Sequence, residues 1–380
     1  MKFFKKLLKW LAIVIGLIIF LLFIFDYNYI LKGVRVVYFT GHNTAFINDY
    51  PYFENDIIKK GKHTNPWPNH KNYNTVKETE KLSHVNKDWG TVAYVIIKND
   101  SIWFENYYDG FDENSKTNSF SMAKSITTSL LGKAIMDGYI VSLDQPITDF
   151  YPQYGDAKTT VGDLASMASG LDWIEHYTSP FSITARANYD DDLAETILNQ
   201  KIVKTPGKTF KYSSGDTQLL GMIIQKASGK SLANYLSESF WKPLGANNDA
   251  LWQLDDDENR LAKAFCCISS SAKDFARFGK LYKDGGNWNG QQLLDSAFVA
   301  KSITPRFKES PQYGYGWWMK DIGSKHFFMM RGHLGQYVIV EPHDNIIIVR
   351  LGHRKSPDEG DGRFTDDITV YIEEAYKMLE

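Results

Sequence analysis

Cysteine is nearly absent from this chain. Two occur in 380 residues, side by side at Cys266 and Cys267. That excludes a disulfide framework and any spaced pair of metal-binding thiols. The pair reads as two buried thiols, with a strained vicinal disulfide as the alternative in an oxidising compartment. Surplus charge is absent too. Forty-three Lys and Arg against 45 Asp and Glu leave a net charge of −2, so nothing points to nucleic acid. There is no internal repeat and no low-complexity stretch. No Gly-x-Ser-x-Gly elbow occurs, and no His-Glu-x-x-His metal motif. Ser228-Gly229-Lys230-Ser231 ends like a P-loop, but Ile224 stands where the first glycine belongs. Neither a metal nor an organic cofactor is expected. Aromatic residues, by contrast, are abundant (22 Tyr, 23 Phe, 10 Trp), which argues for a folded body and against disorder.

One long apolar run exists, and it opens the chain. Lys2, Lys5, Lys6 and Lys9 precede an uninterrupted stretch from Trp10 to Phe25. Leu7 and Leu8 extend it towards the ~20 residues a membrane span needs, and Lys9 can snorkel. The run ends Phe23-Ile24-Phe25-Asp26, without the small residues a signal peptidase prefers. The basic flank stays cytoplasmic by the positive-inside tendency. Residues 1–25 therefore read as an uncleaved membrane anchor, with the remainder extracytoplasmic (periplasmic in a Gram-negative cell).

Residues 26–85 read as a juxtamembrane extension, an irregular wrap or linker of unreadable role. Beyond Trp89 the pattern changes. Thr91–Ile97 and Ile102–Tyr108 are strand-like around an Asn99-Asp100 turn. Helical stretches follow at Val161–Ala168, Leu193–Asn199, Gln218–Ala227 and Ala272–Lys283. Strands return at Tyr315–Lys320, His326–Met330, Gln336–Glu341 and Ile346–Leu351, the last two joined by His343-Asp344-Asn345. Thr365–Leu379 closes as a helix. Strands at both ends with helices between predict an α/β (α+β) fold. It consists of one antiparallel sheet flanked by helices, with a mainly helical subdomain inserted at about 140–300 of a body spanning 86–380.

The chemistry is concentrated in three short elements. The first is Ser121-Met122-Ala123-Lys124, at the head of a run whose apolar residues at Met122, Ile126, Leu130, Ala134 and Ile135 keep a helical period. Asn118 and Ser119 are capping types before it, and Gly138 fits its stop. Residues three apart share a helix face, so the Ser121 hydroxyl and the Lys124 amine can meet. A hydroxyl is a weak nucleophile until a base takes its proton, and a buried lysine with lowered pKa can be that base. The second element is Tyr212-Ser213-Ser214-Gly215-Asp216, a tyrosine on a tight loop ahead of a helix. The third is Arg331-Gly332-His333-Leu334-Gly335-Gln336, entering a strand. Its glycines let substrate approach the backbone, and a strand-edge N–H there could join the Ser121 N–H in an oxyanion hole. Taken singly, each has a plain alternative: a capping serine, a turn tyrosine, a structural histidine.

Together, Ser121-x-x-Lys124, Tyr212-Ser213-Ser214 and His333-Leu334-Gly335 resemble the ordered motifs of class C β-lactamases, DD-peptidases and related serine esterases and amidases. Leu143-Asp144-Gln145-Pro146-Ile147 and Thr160-Val161-Gly162-Asp163-Leu164 also look alike. The style is most similar to the 6-aminohexanoate-dimer hydrolase-like branch, across about residues 88–380. The resemblance implies Ser121 as nucleophile, Lys124 as its partner and Tyr212 as general acid and base. It also implies the main-chain N–H groups of Ser121 and Gln336 as the oxyanion hole. Ser214, His333 and Gly335 would line the substrate site, and Tyr177 would face the cleft. Two departures stand out. Ser214 replaces the asparagine of the second motif, and His333 replaces the lysine of the third, which puts efficient β-lactam turnover in doubt. Arg331 could supply a cation instead.

These features predict a membrane-anchored serine hydrolase that cleaves a small-molecule or peptide-like ester or amide through an acyl-Ser121 intermediate. The rivals are a cell-wall DD-peptidase or β-lactamase, and a non-catalytic binding or sensor module of the same fold. Retention of Ser121, Lys124 and Tyr212 together argues against the last. The oligomeric state is not readable.

Overall fold

The computed structural model describes residues 1–358 and 363–380. Its centre is a six-stranded antiparallel sheet. In spatial order the strands are Ser101–Tyr107, Thr91–Lys98, Ile346–Gly352, Gln336–Glu341, Lys325–Gly332 and Trp318–Ile322. The two ends of the body meet in its middle, where Ile348 pairs with Ile96 and Val349 with Val95. Side chains alternate across this sheet with period two. Val95, Ile97, Val338, Val340, Ile347 and Val349 enter the main core. Tyr94, Ile96, Tyr337, Ile339, Ile346 and Ile348 enter a second core beneath the closing helix Asp366–Leu379. Each such buried side chain contributes roughly 1.5–3 kcal/mol over exposure. On the main-core face lie the helices Met122–Met136 and Ala272–Lys283. Gly279 lets the second come close, since a Cβ there would stand 3.0 Å from Val338 and Val340.

A smaller sheet sets the entry to the site. Its strands run Asn55–Ile58, Ala250–Gln253, Ile268–Ser270 and Thr117–Asn118, all antiparallel. It joins the 26–85 extension to the two residues that lead into the Ser121 helix. The region at 140–300 thus contributes strands as well as helices. The extension carries regular structure: a helix at Tyr29–Val37, the strand Asn55–Ile58 and a helix at Glu80–Asp88.

Several element bounds differ from the sequence expectation, each for a local reason. The expected strand Tyr315–Lys320 starts at Trp318. Gly316, at φ +79°, turns the chain so tightly against Thr128 that a Cβ would collide there. The expected helix Val161–Ala168 stops at Ala165, because Met167 adopts φ +59°. The expected helix Gln218–Ala227 runs Ser214–Ser228, capped by the Ser213 side chain. Asn118 and Ser119 do not cap the next helix. The Asn118 side chain accepts from Phe120 N at 2.8 Å, and the Ser119 hydroxyl accepts from Ile268 N at 3.0 Å.

Arg350, fully buried, ties the start of the strand Thr91–Lys98 to the 332–336 loop. It donates to the carbonyls of Leu334 (3.0 Å), Gly335 (2.7 Å) and Trp89 (2.8 Å), and to the Thr91 hydroxyl (3.0 Å). Arg350→Met would leave these carbonyls desolvated and unpaired. The expected cost is about 3 kcal/mol, read as a lowered midpoint in denaturant unfolding followed by tryptophan fluorescence.

Candidate active site

Ser121 stands at the N-cap of the helix Met122–Met136, and its hydroxyl makes no capping bond. The chain reaches it through Phe120 at φ +45°, a conformation costly for a side chain with a Cβ. That turn is held from both sides. Asn118 fixes Phe120 N, and Ser119 N donates to Ile268 O at 2.7 Å. Gly332 lies so close that a Cβ would collide with Ser119 O. The helix start also offers main-chain N–H groups that lack intrahelical partners, and a dipole favouring negative charge.

Lys124 is 2% exposed. Its Nζ donates to three acceptors: Ser121 Oγ at 3.0 Å, Ser214 Oγ at 3.0 Å and Phe265 O at 2.9 Å. Burial lowers its pKa to about 8, while the Glu175 carboxylate pulls in the opposite direction. Tyr212 precedes the Ser213 cap, with its ring centroid 5.1 Å from Lys124 Nζ. Its phenol bonds to Ser121, yet burial pushes it well above its ordinary value, the negative charge of Glu175 adding to that. The ring rests on Trp318, centroids 5.4 Å apart.

The third element reaches the same place. His333 packs edge-on against Phe120 (5.5 Å) and stacks on Tyr177 (5.7 Å). Burial lowers its pKa to about 4, and Lys355 reinforces this, so it is neutral at pH 7. Gln336 is fully buried. Its side chain donates to Gly352 O (2.7 Å) and His333 O (3.2 Å) and accepts from Gly352 N (3.2 Å), which pins the start of its strand. Gly335, at φ +82°, gives its carbonyl to Arg350. Ser214 is engaged by Lys124 and lines the cavity beside Ser121. Arg331 packs between the rings of Trp318 (4.6 Å) and Phe364 (4.8 Å) and donates to Arg363 O, and its charge acts on the Tyr212 phenol.

Two features were not legible. Glu175 accepts from Ser214 N and from the Thr184 hydroxyl (3.2 Å), and it bonds to Tyr177. It is the carboxylate of the site, and only its place two residues before Tyr177 hinted at it. The second is a correction. Cys266 and Cys267 are not two thiols but a vicinal disulfide. Cys267 takes φ +74°, and both residues line a cavity of about 440 Å³ that opens onto Ser121. The turn that puts Phe265 O against Lys124 is what brings the adjacent sulfurs together.

The Beta-lactamase family matches residues 80–369 of the chain. A 6-aminohexanoate-dimer hydrolase of Paenarthrobacter ureafaciens is 25% identical over 293 residues, covering 70% of this chain and 74% of the relative. Among solved structures, a provisionally named 6-aminohexanoate-dimer hydrolase from Bacillus anthracis superposes with TM-score 0.71 and 20% identity. It covers 88% of this chain and 92% of its own. An octameric penicillin-binding protein homologue from Pyrococcus abyssi gives TM-score 0.63 at 18% identity, over 79% and 76% of the two chains.

The electrostatics give a direct expectation. A lysine with lowered pKa is an active base only when neutral, and at pH 7 a group titrating near 8 is about one-tenth neutral. Labelling of Ser121 by a fluorophosphonate should rise about tenfold per pH unit below 8 and level off above it. Glu175→Gln removes the charge that holds the Lys124 proton, so the midpoint should move to lower pH. Intact-mass time courses between pH 5 and 10 measure both; a flat profile would remove Lys124 from the role of base.

Proposed function

The chain belongs to the Beta-lactamase family, and we propose that it is a serine hydrolase cleaving an ester or amide through an acyl-Ser121 intermediate. The single observation that carries this reading is the opposed shift of two groups bonded to one hydroxyl. Burial lowers Lys124 to about 8 and raises Tyr212 well above its usual range. Near neutral pH the lysine can lose its proton and the phenol cannot. Their roles divide accordingly.

In this mechanism neutral Lys124 takes the Ser121 proton as Oγ attacks the carbonyl. The Ser121–carbonyl bond forms, and the tetrahedral oxyanion is held by the main-chain N–H groups of Ser121 and Gln336. Tyr212 protonates the leaving group as the scissile bond breaks, and the Lys124 ammonium returns a proton to the phenolate. Water then attacks the acyl-enzyme through the same pair, and Ser121 is regenerated. Glu175 would tune Lys124 and hold Ser214 in place. The carboxylate-holding lysine of β-lactamases is replaced here by a neutral His333, and Arg331 is enclosed by aromatic rings. Nitrocefin turnover is therefore expected to be weak.

The helix Lys2–Ile24 buries none of its residues against the body. With its lysine flank, it supports an anchor that leaves the hydrolase outside the cytoplasm. The disulfide suits such a compartment.

Two substitutions test the division of labour. Ser121→Ala should abolish turnover and fluorophosphonate labelling alike. Tyr212→Phe should spare acylation by a p-nitrophenyl ester, whose leaving group departs as an anion. On an alkyl amide, which needs a proton, it should cost about 10²–10⁴-fold. Burst kinetics on the ester and product release from the amide provide the comparison; equal losses on both would overturn the assignment of Tyr212 as acid.

A further inference from the structure

The cavity beside Ser121 has a wall that the conserved-looking motifs do not supply. The helix Tyr29–Val37 presents Ile30, Gly33, Val34 and Val37 to it. Those positions are i, i+3, i+4 and i+7, the apolar stripe of a helix. Such a stripe ordinarily closes on a core. Here it closes on about 440 Å³ of space, faced by Phe120 and Phe265 from the catalytic side. Gly33 sits against the Tyr189 ring, where a Cβ would be 3.3 Å away, so the helix cannot move in to fill the gap.

The same helix is fastened to the body. Tyr29 donates to Pro180 O at 3.0 Å, and Lys32 pairs with Asp191 at 2.6 Å. Asp26 pairs with Arg186 at 2.6 Å, and Arg186 in turn lies over the Tyr29 ring. Only four residues separate Ile24, the end of the apolar helix, from Tyr29 on the cavity wall, a span of five residue steps. Fully extended, that is at most ~17 Å. A chamber with an apolar wall along this helix and polar groups opposite, Asp49, Asn188 and Gln253 among them, held this close to the proposed anchor, faces amphiphiles. The orientation of the chemistry assigns the part of the substrate that enters. Tyr212, the proton donor to the leaving group, does not line the cavity, whereas Ser121, Ser214 and His333 do.

We propose that this cavity is an acyl-chain subsite, and that the substrate is an amphiphilic ester or amide whose acyl part is a hydrocarbon chain. The inference rests on the serine-hydrolase reading above and names its substrate class. Val34, at the centre of the stripe, then sets the chain length accepted.

The test uses the full chain in phosphatidylcholine nanodiscs, with p-nitrophenyl esters from acetate to dodecanoate. Wild type should gain about fourfold in kcat/KM per added methylene until the cavity is full. Val34→Trp should lower the octanoate-to-acetate ratio at least tenfold. Val34→Ala should move the optimum to a longer chain, which keeps the test alive if the tryptophan variant fails to fold. Both variants are read in the same discs, so partitioning of long esters into lipid cancels. A wild type that takes a fluorophosphonate at Ser121 yet turns over acetate and octanoate alike would overturn the subsite and leave the hydrolase standing. So would two folded Val34 variants with the wild-type profile. Absence of any adduct on Ser121 would instead sink the hydrolase reading, and this inference with it.

Discussion

The site depends on one buried ammonium. Lys124 has three N–H donors, and the fold meets each of them: the Ser121 hydroxyl, the Ser214 hydroxyl and the Phe265 carbonyl. A charge in a dry site is costly unless paired and hydrogen-bonded. Here burial and pairing are set against each other, so that the proton is held loosely. Three separate parts of the chain exist in their observed conformations to deliver those acceptors. Ser121 arrives through a left-handed Phe120. Ser214 starts a helix just past Tyr212. Phe265 precedes the turn that makes the vicinal disulfide. Loss of any one acceptor would change the affinity of Lys124 for its proton as much as it would change the shape of the site.

The scaffold around the lysine is polar where it must be fixed and apolar where it must be dry. Gln336 donates to His333 O, and Arg350 to the carbonyls of Leu334 and Gly335, which satisfies the 332–336 loop from beneath. That leaves Leu334 able to sit at φ +61° without the loop relaxing. Trp318 and Tyr313 pack against Tyr212 on the other side, backed by Phe210. Their burial of the phenol keeps it protonated. The two halves of the proposed acid–base pair thus owe their opposite shifts to one cause, exclusion of water, acting on groups whose charged forms have opposite signs.

The legible part of this protein was the part encoded over a few neighbouring residues. The three-residue spacing of Ser121 and Lys124 is a property of any helix, and the structure bears out their contact. The strands at Thr91–Lys98 and Ile346–Gly352 were readable as short apolar runs rich in Val and Ile, which follows from burial of both faces of the sheet. Glu175 was not readable, since nothing local marks a carboxylate that meets Ser214 across 39 residues. The Cys266–Cys267 pairing depends on a turn set by Lys124 from a distant helix. The extension was read as irregular from its proline and lysine content, and its helix Tyr29–Val37 is short. Its order comes from tertiary partners, Arg186, Asp191 and Pro180, and not from propensity.

The charges around the cavity argue about substrate as strongly as its shape does. Asp49 lines it, and although burial raises that carboxyl to about 6, it is mostly ionised at pH 7 and above. The amides of Asn118 (2.9 Å) and Gln253 (2.8 Å) occupy one of its oxygens. His333 is neutral over the range in which Lys124 becomes active, because their values of about 4 and about 8 leave four units between them. The guanidinium of Arg331 is committed to two aromatic faces. A substrate carboxylate near Ser121 would meet Glu175, and the cation beside it would be Lys124, whose proton it would hold in place, at a cost both in desolvation and in the proposed base. A neutral acyl group bears no such cost, and each methylene it adds moves apolar surface out of water. Exchanging the motif's usual lysine for a partly buried histidine therefore does more than weaken one contact: in the proposed reading it favours uncharged, apolar acyl chains over anions.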